Sequence, residues 1–251
     1  MVTLLTKGIA SAKLAKGQGE GGYLTAVLYL KPSDSCGIAD VNLCPAASAG
    51  CKAACLNTAG RGADHMRDKK TGINLVQQAR QKRTELLVYN PIGFRVQLAD
   101  EIRSFAAYCK KKGMLPAIRL NGTSDIDWSD VYKQFPDVQF YEYTKRPDLA
   151  IRLSMFPNVS VTFSLSEVNF PVAIRMLGMG INVAAVFSTK RGAALPTEWH
   201  GFTVLDGDLT DNRFLDPVGG VVIGLRAKGK AIKDTSGFVQ GSCFSAVKSA
   251  G

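Results

Sequence analysis

Strand-forming runs alternate with helix-length connections along most of this chain, and no other feature limits its fold as much. The runs are Tyr23–Leu30, Ala117–Asn121, Gln139–Thr144, Val159–Ser164, Asn182–Phe187, Phe202–Leu205 and Val221–Leu225, mostly spaced by roughly 20–25 residues. The first is closed by Pro32 and has the character of a buried strand. Such alternation is the signature of parallel βαβ units. Seven strands predict an α/β fold: a parallel (βα) barrel, complete or partial and TIM-barrel-like, ahead of an open doubly wound sheet. The spacing predicts long helices over Lys69–Tyr89, with Ile73, Val76, Ala79, Leu86 and Leu87 in phase, and over about Gly93–Lys112, with Leu98, Ile102, Phe105 and Ala106 on one face. Lys110–Lys112 and Gly113 suit the end of the second. Shorter helices are predicted near Trp128–Gln134, after Pro147 and over Pro171–Leu177.

No linker or internal repeat divides the 251 residues, which read as one domain, with 1–22 as a Gly- and Lys-rich N-terminal arm and 31–62 as a Cys-rich loop after the first strand. Hydrophobic residues make up 46%, enough for a core that needs no disulfides. No apolar run approaches the roughly 18–20 residues of a membrane helix. No signal-peptide pattern is read at the N-terminus, so a cytoplasmic protein with reduced thiols is expected. Lys and Arg exceed Asp and Glu by 31 to 21, and the resulting charge of +10 makes nucleic acid a candidate partner, although the basic residues are dispersed.

Four of the six cysteines fall within twenty residues, as Cys36-x7-Cys44-x6-Cys51-x3-Cys55. Core cysteines in a reducing compartment are usually scattered, so a cluster in a Gly- and Ala-rich connection points to a thiophilic metal. If a helix starts at Cys51, its spacing to Cys55 puts both sulfurs on one face. Pro45 stiffens the chain beside Cys44, and Gly50, Gly60 and Gly62 would let backbone approach a bulky centre. Structural zinc favours two C-x2–4-C knuckles, and only Cys51–Cys55 has that spacing. Iron–sulfur sites accept more varied spacings, and a [4Fe–4S] cluster on Cys44, Cys51 and Cys55 fits best. A fourth ligand is left open among Cys36, Cys243, His65 and none from this chain. Cys109, inside a helical pattern, reads as a core thiol.

Function in a parallel barrel collects at the C-terminal ends of strands. Asn121, Asp125, Tyr143 and Arg226 sit at such ends and are expected to form a cofactor-binding pocket around the metal. Ser124 reads rather as a helix N-cap. Alternation along the third strand turns Tyr141, Tyr143 and Lys145 to one face. The run Gly224 to Lys230 is basic and Gly-spaced, a workable anion cradle without the spacing of a Walker loop. Asp125, Asp127, Asp206 and Asp208 are a weaker divalent-cation set, since Asp-rich turns are usually simply turns.

The stretch Leu43–Gly62, with Arg119–Ile126, Phe214–Pro217 and Gly224–Ala231, resembles a family of bacteriophage-encoded proteins without an assigned function. The likeness runs from the N-terminal arm to Gly237–Phe238. It implies a viral protein working in the host cytoplasm. The family's mark is three cysteines matching Cys44, Cys51 and Cys55 in a C-P-x5-C-x3-C motif; Cys36, Cys109 and Cys243 lie outside it. A second likeness is architectural. Three clustered cysteines after the first strand of a (βα) barrel resemble the radical S-adenosylmethionine enzymes, where the open iron binds that cofactor. The spacing itself does not indicate S-adenosylmethionine: that superfamily uses C-x3-C-x2-C, and no Gly-Gly-Glu-like segment follows the second strand here.

The expectation is therefore an iron–sulfur protein, serving either electron transfer with a redox partner or radical-type chemistry on a small-molecule substrate. The alternative is a zinc-stabilised nucleic-acid-binding protein. The sequence does not decide between carrier and enzyme.

Overall fold

The computed structural model describes residues 2–8 and 17–241. Their architecture is a mixed α/β layer built on one mostly parallel sheet. Its strands are β1 (Leu5–Lys7), β2 (Tyr23–Leu28), β3 (Leu115–Arg119), β4 (Gln139–Thr144), β5 (Val159–Ser164), β6 (Val183–Phe187), β7 (Glu198–Trp199), β8 (Phe202–Asp206), β9 (Val222–Arg226) and β10 (Val239–Gln240). The helices are α1 (Ala49–Ala53), α2 (Leu75–Tyr89), α3 (Pro91–Lys111), α4 (Ser129–Gln134), α5 (Pro147–Leu153) and α6 (Phe170–Gly178). All seven strands read from the sequence are present.

The sheet order is β1-β2-β3-β4-β5-β6-β9-β8-β7, with β10 pairing parallel to the end of β6. From β2 to β8 every pairing is parallel; β1 and β7 add antiparallel edges. A complete barrel is not formed among the described residues. β9 inserts between β6 and β8, so the last crossover runs backwards and β8 does not reach β2. The arm contributes β1 and buries Leu4 completely.

Strand alternation separates two environments. Toward the helices, Ala26, Leu28, Ile118 and Phe140 pack with Phe94, Leu98, Ile102 and Phe105 of α3 and with Tyr132 of α4. A second cluster joins Phe163, Val183, Ala185 and Val222 to Met176 and Leu177 of α6. The opposite face carries Arg119, Tyr141 and Tyr143, as the alternation along β4 predicted. It is plugged by the turn Arg213–Leu215, whose Phe214 ring lies 4.7 Å from Tyr23 and 5.4 Å from Tyr141. Asn212 ties this turn to the carbonyl of Gly17 (2.8 Å) and to Glu20 (3.0 Å). An irregular segment thus bridges the gap that a barrel strand would close.

One carboxyl is enclosed on the helix side. Glu142, fully buried, accepts hydrogen bonds from the N–H groups of Leu120 (2.7 Å) and Asn121 (3.0 Å) and from the Tyr132 hydroxyl (2.9 Å). Burial outweighs those bonds and pushes its pKa up to about 7. The folded state therefore holds this proton more tightly than the unfolded chain. The stability it confers is complete below the unfolded carboxyl value and is lost as pH rises through about 7. Denaturant titrations of wild type and Glu142→Gln across that window test this: the wild type should lose stability with rising pH more steeply than the variant, and parallel curves would refute it.

Candidate metal centre

The Cys-rich segment has little regular structure, so its backbone groups need partners from elsewhere. Helix α2 supplies them. Asn74 caps α2 by accepting from the N–H groups of Val76 and Gln77, and its amide donates to the carbonyls of Arg61 (3.1 Å) and Ala63 (2.9 Å). Gln77 donates to the carbonyls of Asn57 and Gly62, both at 2.8 Å. Arg80 bonds the carbonyl and the side chain of Asn57, Gln81 reaches the carbonyl of Cys36, and Thr84 accepts from the N–H of Lys31. The buried residues of α2 are Arg80, Arg83 and Thr84. Of the apolar stripe read over Lys69–Tyr89, Leu86 and Leu87 pack against the core, whereas Ile73 is exposed and precedes the helix, which begins only at Leu75.

Helix α1 is pinned separately. Ser48 caps it, accepting from the N–H of Cys51 at 3.2 Å. Glu167, just past β5, accepts from the N–H of Gly50 and the hydroxyl of Ser48, both at 2.7 Å. A side chain at Gly50 would run into Glu167 and Ser236, so this glycine serves packing rather than access to a metal. The helix spans Ala49–Ala53 and ends before Cys55, whose backbone is non-helical (φ −57°, ψ 127°). The helical spacing that the sequence suggested for Cys51 and Cys55 is therefore not formed.

Cys44, Cys51 and Cys55 nonetheless line one cavity of about 270 Å³ at the C-terminal ends of the parallel strands. Cys44 Sγ lies 3.6 Å from the Thr123 carbonyl. Burial pushes the Cys44 thiol up to about 12, with Asp125, Cys55 and Cys51 adding to the shift. Burial also raises Cys55, again with Cys51 contributing, while Lys145 and Arg80 oppose it. The thiols are electrostatic neighbours, but they are not drawn together into a finished ligand set: among the described residues, no three His, Cys, Asp or Glu side chains are placed to hold a metal ion.

All four expected pocket residues, Asn121, Asp125, Tyr143 and Arg226, line the same cavity. Their side chains differ in what they do. Asn121 holds its own loop: Oδ1 accepts from Ser124, from the N–H of Ile126 and from Trp128, and Nδ2 donates to the Ile126 carbonyl. Ser124 is therefore a partner of Asn121 and not an N-cap; Trp128 occupies the cap of α4. Arg226 clamps Asp206 (2.9 Å) and Asp208 (3.2 Å), and Lys228 also bonds Asp208, so these two charges of the basic run are paired. Asp127 pairs with Arg152. The four aspartates are not assembled as a cation site.

Of the remaining candidates, Cys36 is buried away from the cavity, Cys109 lies in the core, His65 is exposed, and Cys243 lies outside the described residues. Sequence reasoning missed Glu167 and the apolar wall of Leu165, Val186, Leu225 and Phe238. A polar residue just beyond a strand end was the available signal for Glu167. Glu167→Ala should cost about 1–2 kcal/mol and speed hydrogen exchange in residues 44–55; unchanged exchange there would show that Glu167 does not anchor α1.

A family model described as Gene product 88 matches residues 3–241. The "Gene 88 protein" of Mycobacterium phage D29 is 32% identical over 101 residues, covering 37% of this chain. The match spans 42% of that relative's length. No solved structure matches the chain.

Proposed function

The chain belongs to the phage Gene product 88 family, and from that premise we propose that it holds a [4Fe–4S] cluster on Cys44, Cys51 and Cys55. The observation that carries this reading is the shared cavity wall of the three thiols, beside a pocket at the strand ends. Their chemistry fits a soft metal centre. Burial holds Cys44 and Cys55 protonated in the metal-free protein. Two cations, Lys145 and Arg80, act on Cys55 and would offset part of the charge of bound thiolates. Cys44 and Cys55 lie on irregular backbone either side of the pinned α1, where turns can adjust around a bound centre.

When bound, such a cluster supplies one-electron chemistry. Cys44, Cys51 and Cys55 would hold it on the wall of a cavity that Asp125 and Tyr143 also line, with Leu165, Val186 and Leu225 supplying apolar surface. That arrangement favours action on a small molecule over bare electron carriage, for which no pocket is needed. Arg119, Arg226 and Lys228, basic groups on the cavity wall, are paired to carboxylates, which lends nucleic acid no support.

Anaerobic purification should yield iron and acid-labile sulfide with broad visible absorption. Cys51→Ala should lose both, whereas Cys36→Ala and Cys109→Ala should keep them. Stoichiometric zinc without iron, or an undiminished cluster in Cys51→Ala, would overturn the assignment. Loading must also expel protons from the buried thiols, so metal uptake should weaken as pH falls; uptake independent of pH would contradict thiolate ligation.

A further inference from the structure

The loops that follow β6 and β9 lie side by side, and the carboxylates around them are taken up internally while four cations point outward. The Arg226 guanidinium donates twice to the Ala193 carbonyl, at 2.7 and 3.0 Å, and the N–H of Ala227 donates to the Phe187 carbonyl at 2.9 Å. Asp206 and Asp208, at the neighbouring end of β8, are bound to Arg226 and Lys228. Asp234 accepts from the Ser236 hydroxyl at 2.7 Å and from the N–H of Val239 at 3.0 Å, and Glu167 is taken up by α1. Lys190, Arg191, Lys230 and Lys233 are exposed, and none of the four has an ion-pair partner among the described residues. This face reaches the Cys-rich segment. The turn Gly229–Lys233 packs on the turn Leu56–Thr58, and a Cβ at Gly229 would lie 3.4 Å from the Ala59 methyl. Leu56, next to Cys55, and Ile232 are exposed apolar side chains on these two turns.

We propose that this face docks an acidic one-electron carrier protein, with Leu56 and Ile232 supplying apolar contact and Lys190, Arg191, Lys230 and Lys233 the complementary charge. Like charges steer an oppositely charged protein to the surface, and apolar groups among them hold it there. Nucleic acid suits the face less well, because neither loop, 188–193 or 227–233, has an aromatic side chain on which bases could stack. The inference rests on the cluster reading above. Leu56 adjoins Cys55, a proposed cluster ligand, so a carrier seated here stands beside the metal site. One electron then passes from the carrier to the cluster: the carrier is oxidised by one electron, the cluster is reduced by one, and no bond forms or breaks.

The test titrates an acidic flavodoxin, a basic cytochrome c and a single-stranded oligonucleotide into the anaerobically purified full-length chain. The flavodoxin should bind saturably at low ionic strength and more weakly as salt rises, and the cytochrome should not bind. Joint reversal by Lys230→Glu and Lys233→Glu should weaken flavodoxin binding roughly 10-fold or more. It should slow reduction of the cluster by flavodoxin hydroquinone to match, while reduction by dithionite stays as in wild type. Lys110→Glu with Lys111→Glu, at the far end of the sheet where α3 leads into β3, should change neither. Absent or salt-insensitive flavodoxin binding, binding that survives the reversal at Lys230 and Lys233, or tighter binding of the oligonucleotide through the same lysines would each overturn the inference. Iron analysis of the same preparations keeps the two readings apart: iron without flavodoxin binding defeats the docking face alone, whereas an iron-free wild type defeats the cluster reading itself.

Discussion

The structure depends on a helix that buries its polar side. The 46 residues between β2 and α2 contain one short helix and a series of 3-10 turns, and several of their carbonyls are bonded by side chains of α2. Backbone groups in that position must be paired or the segment will not stay folded. Asn74, Gln77, Arg80, Gln81 and Thr84 pair them, each from the same flank of α2. Those bonds set where Cys55 turns, and with Glu167 on α1 they decide that the three thiols reach a common wall. An Arg such as Arg80 is well suited to this work. One of its terminal nitrogens, Nη1, donates to two oxygens of Asn57 while its charge lies over the Tyr29 ring, 5.2 Å away.

The same feature explains where the sequence could be read and where it misled. The seven main strands are visible because each is rich in strand formers and bounded by turn residues. β1, β7 and β10 are two or three residues long, too short to show any period. The predicted apolar face of α2 was only part of its inward side: Leu86 and Leu87 pack on the core, but the buried residues are Arg80, Arg83 and Thr84, because a loop demanded hydrogen bonds there. The reversal that sets β9 between β6 and β8 has no local signature either. It follows from the turn around Phe214, which docks on Tyr23 and Tyr141 far away in the chain.

At the site, residue types near strand ends were legible, but their roles were not. Asn121, Asp125, Tyr143 and Arg226 all reach the cavity, as a parallel sheet requires of positions at its C-terminal edge. Whether such a residue faces a ligand or braces a loop depends on its neighbours. Asn121 is occupied by Ser124, Ile126 and Trp128, and Arg226 by two aspartates, while Asp125 ties the end of β4 to the Cys-rich segment. Hydrogen-bond accounting in three dimensions separates them; sequence spacing does not.

The thiols draw these threads together. Burial makes thiolates costly at Cys44 and Cys55, so in the metal-free chain they stand protonated, close enough to influence one another. A metal centre reverses that balance by supplying positive charge where the chain has placed soft donors. The most direct test is anomalous diffraction at the iron edge from crystals grown anaerobically. The account predicts a multi-iron peak in the cavity, with the sulfurs of Cys44, Cys51 and Cys55 each about 2.3 Å from a different iron, a usual metal–thiolate distance. A cavity without an iron signal in such crystals, or iron bound to other side chains, would contradict it.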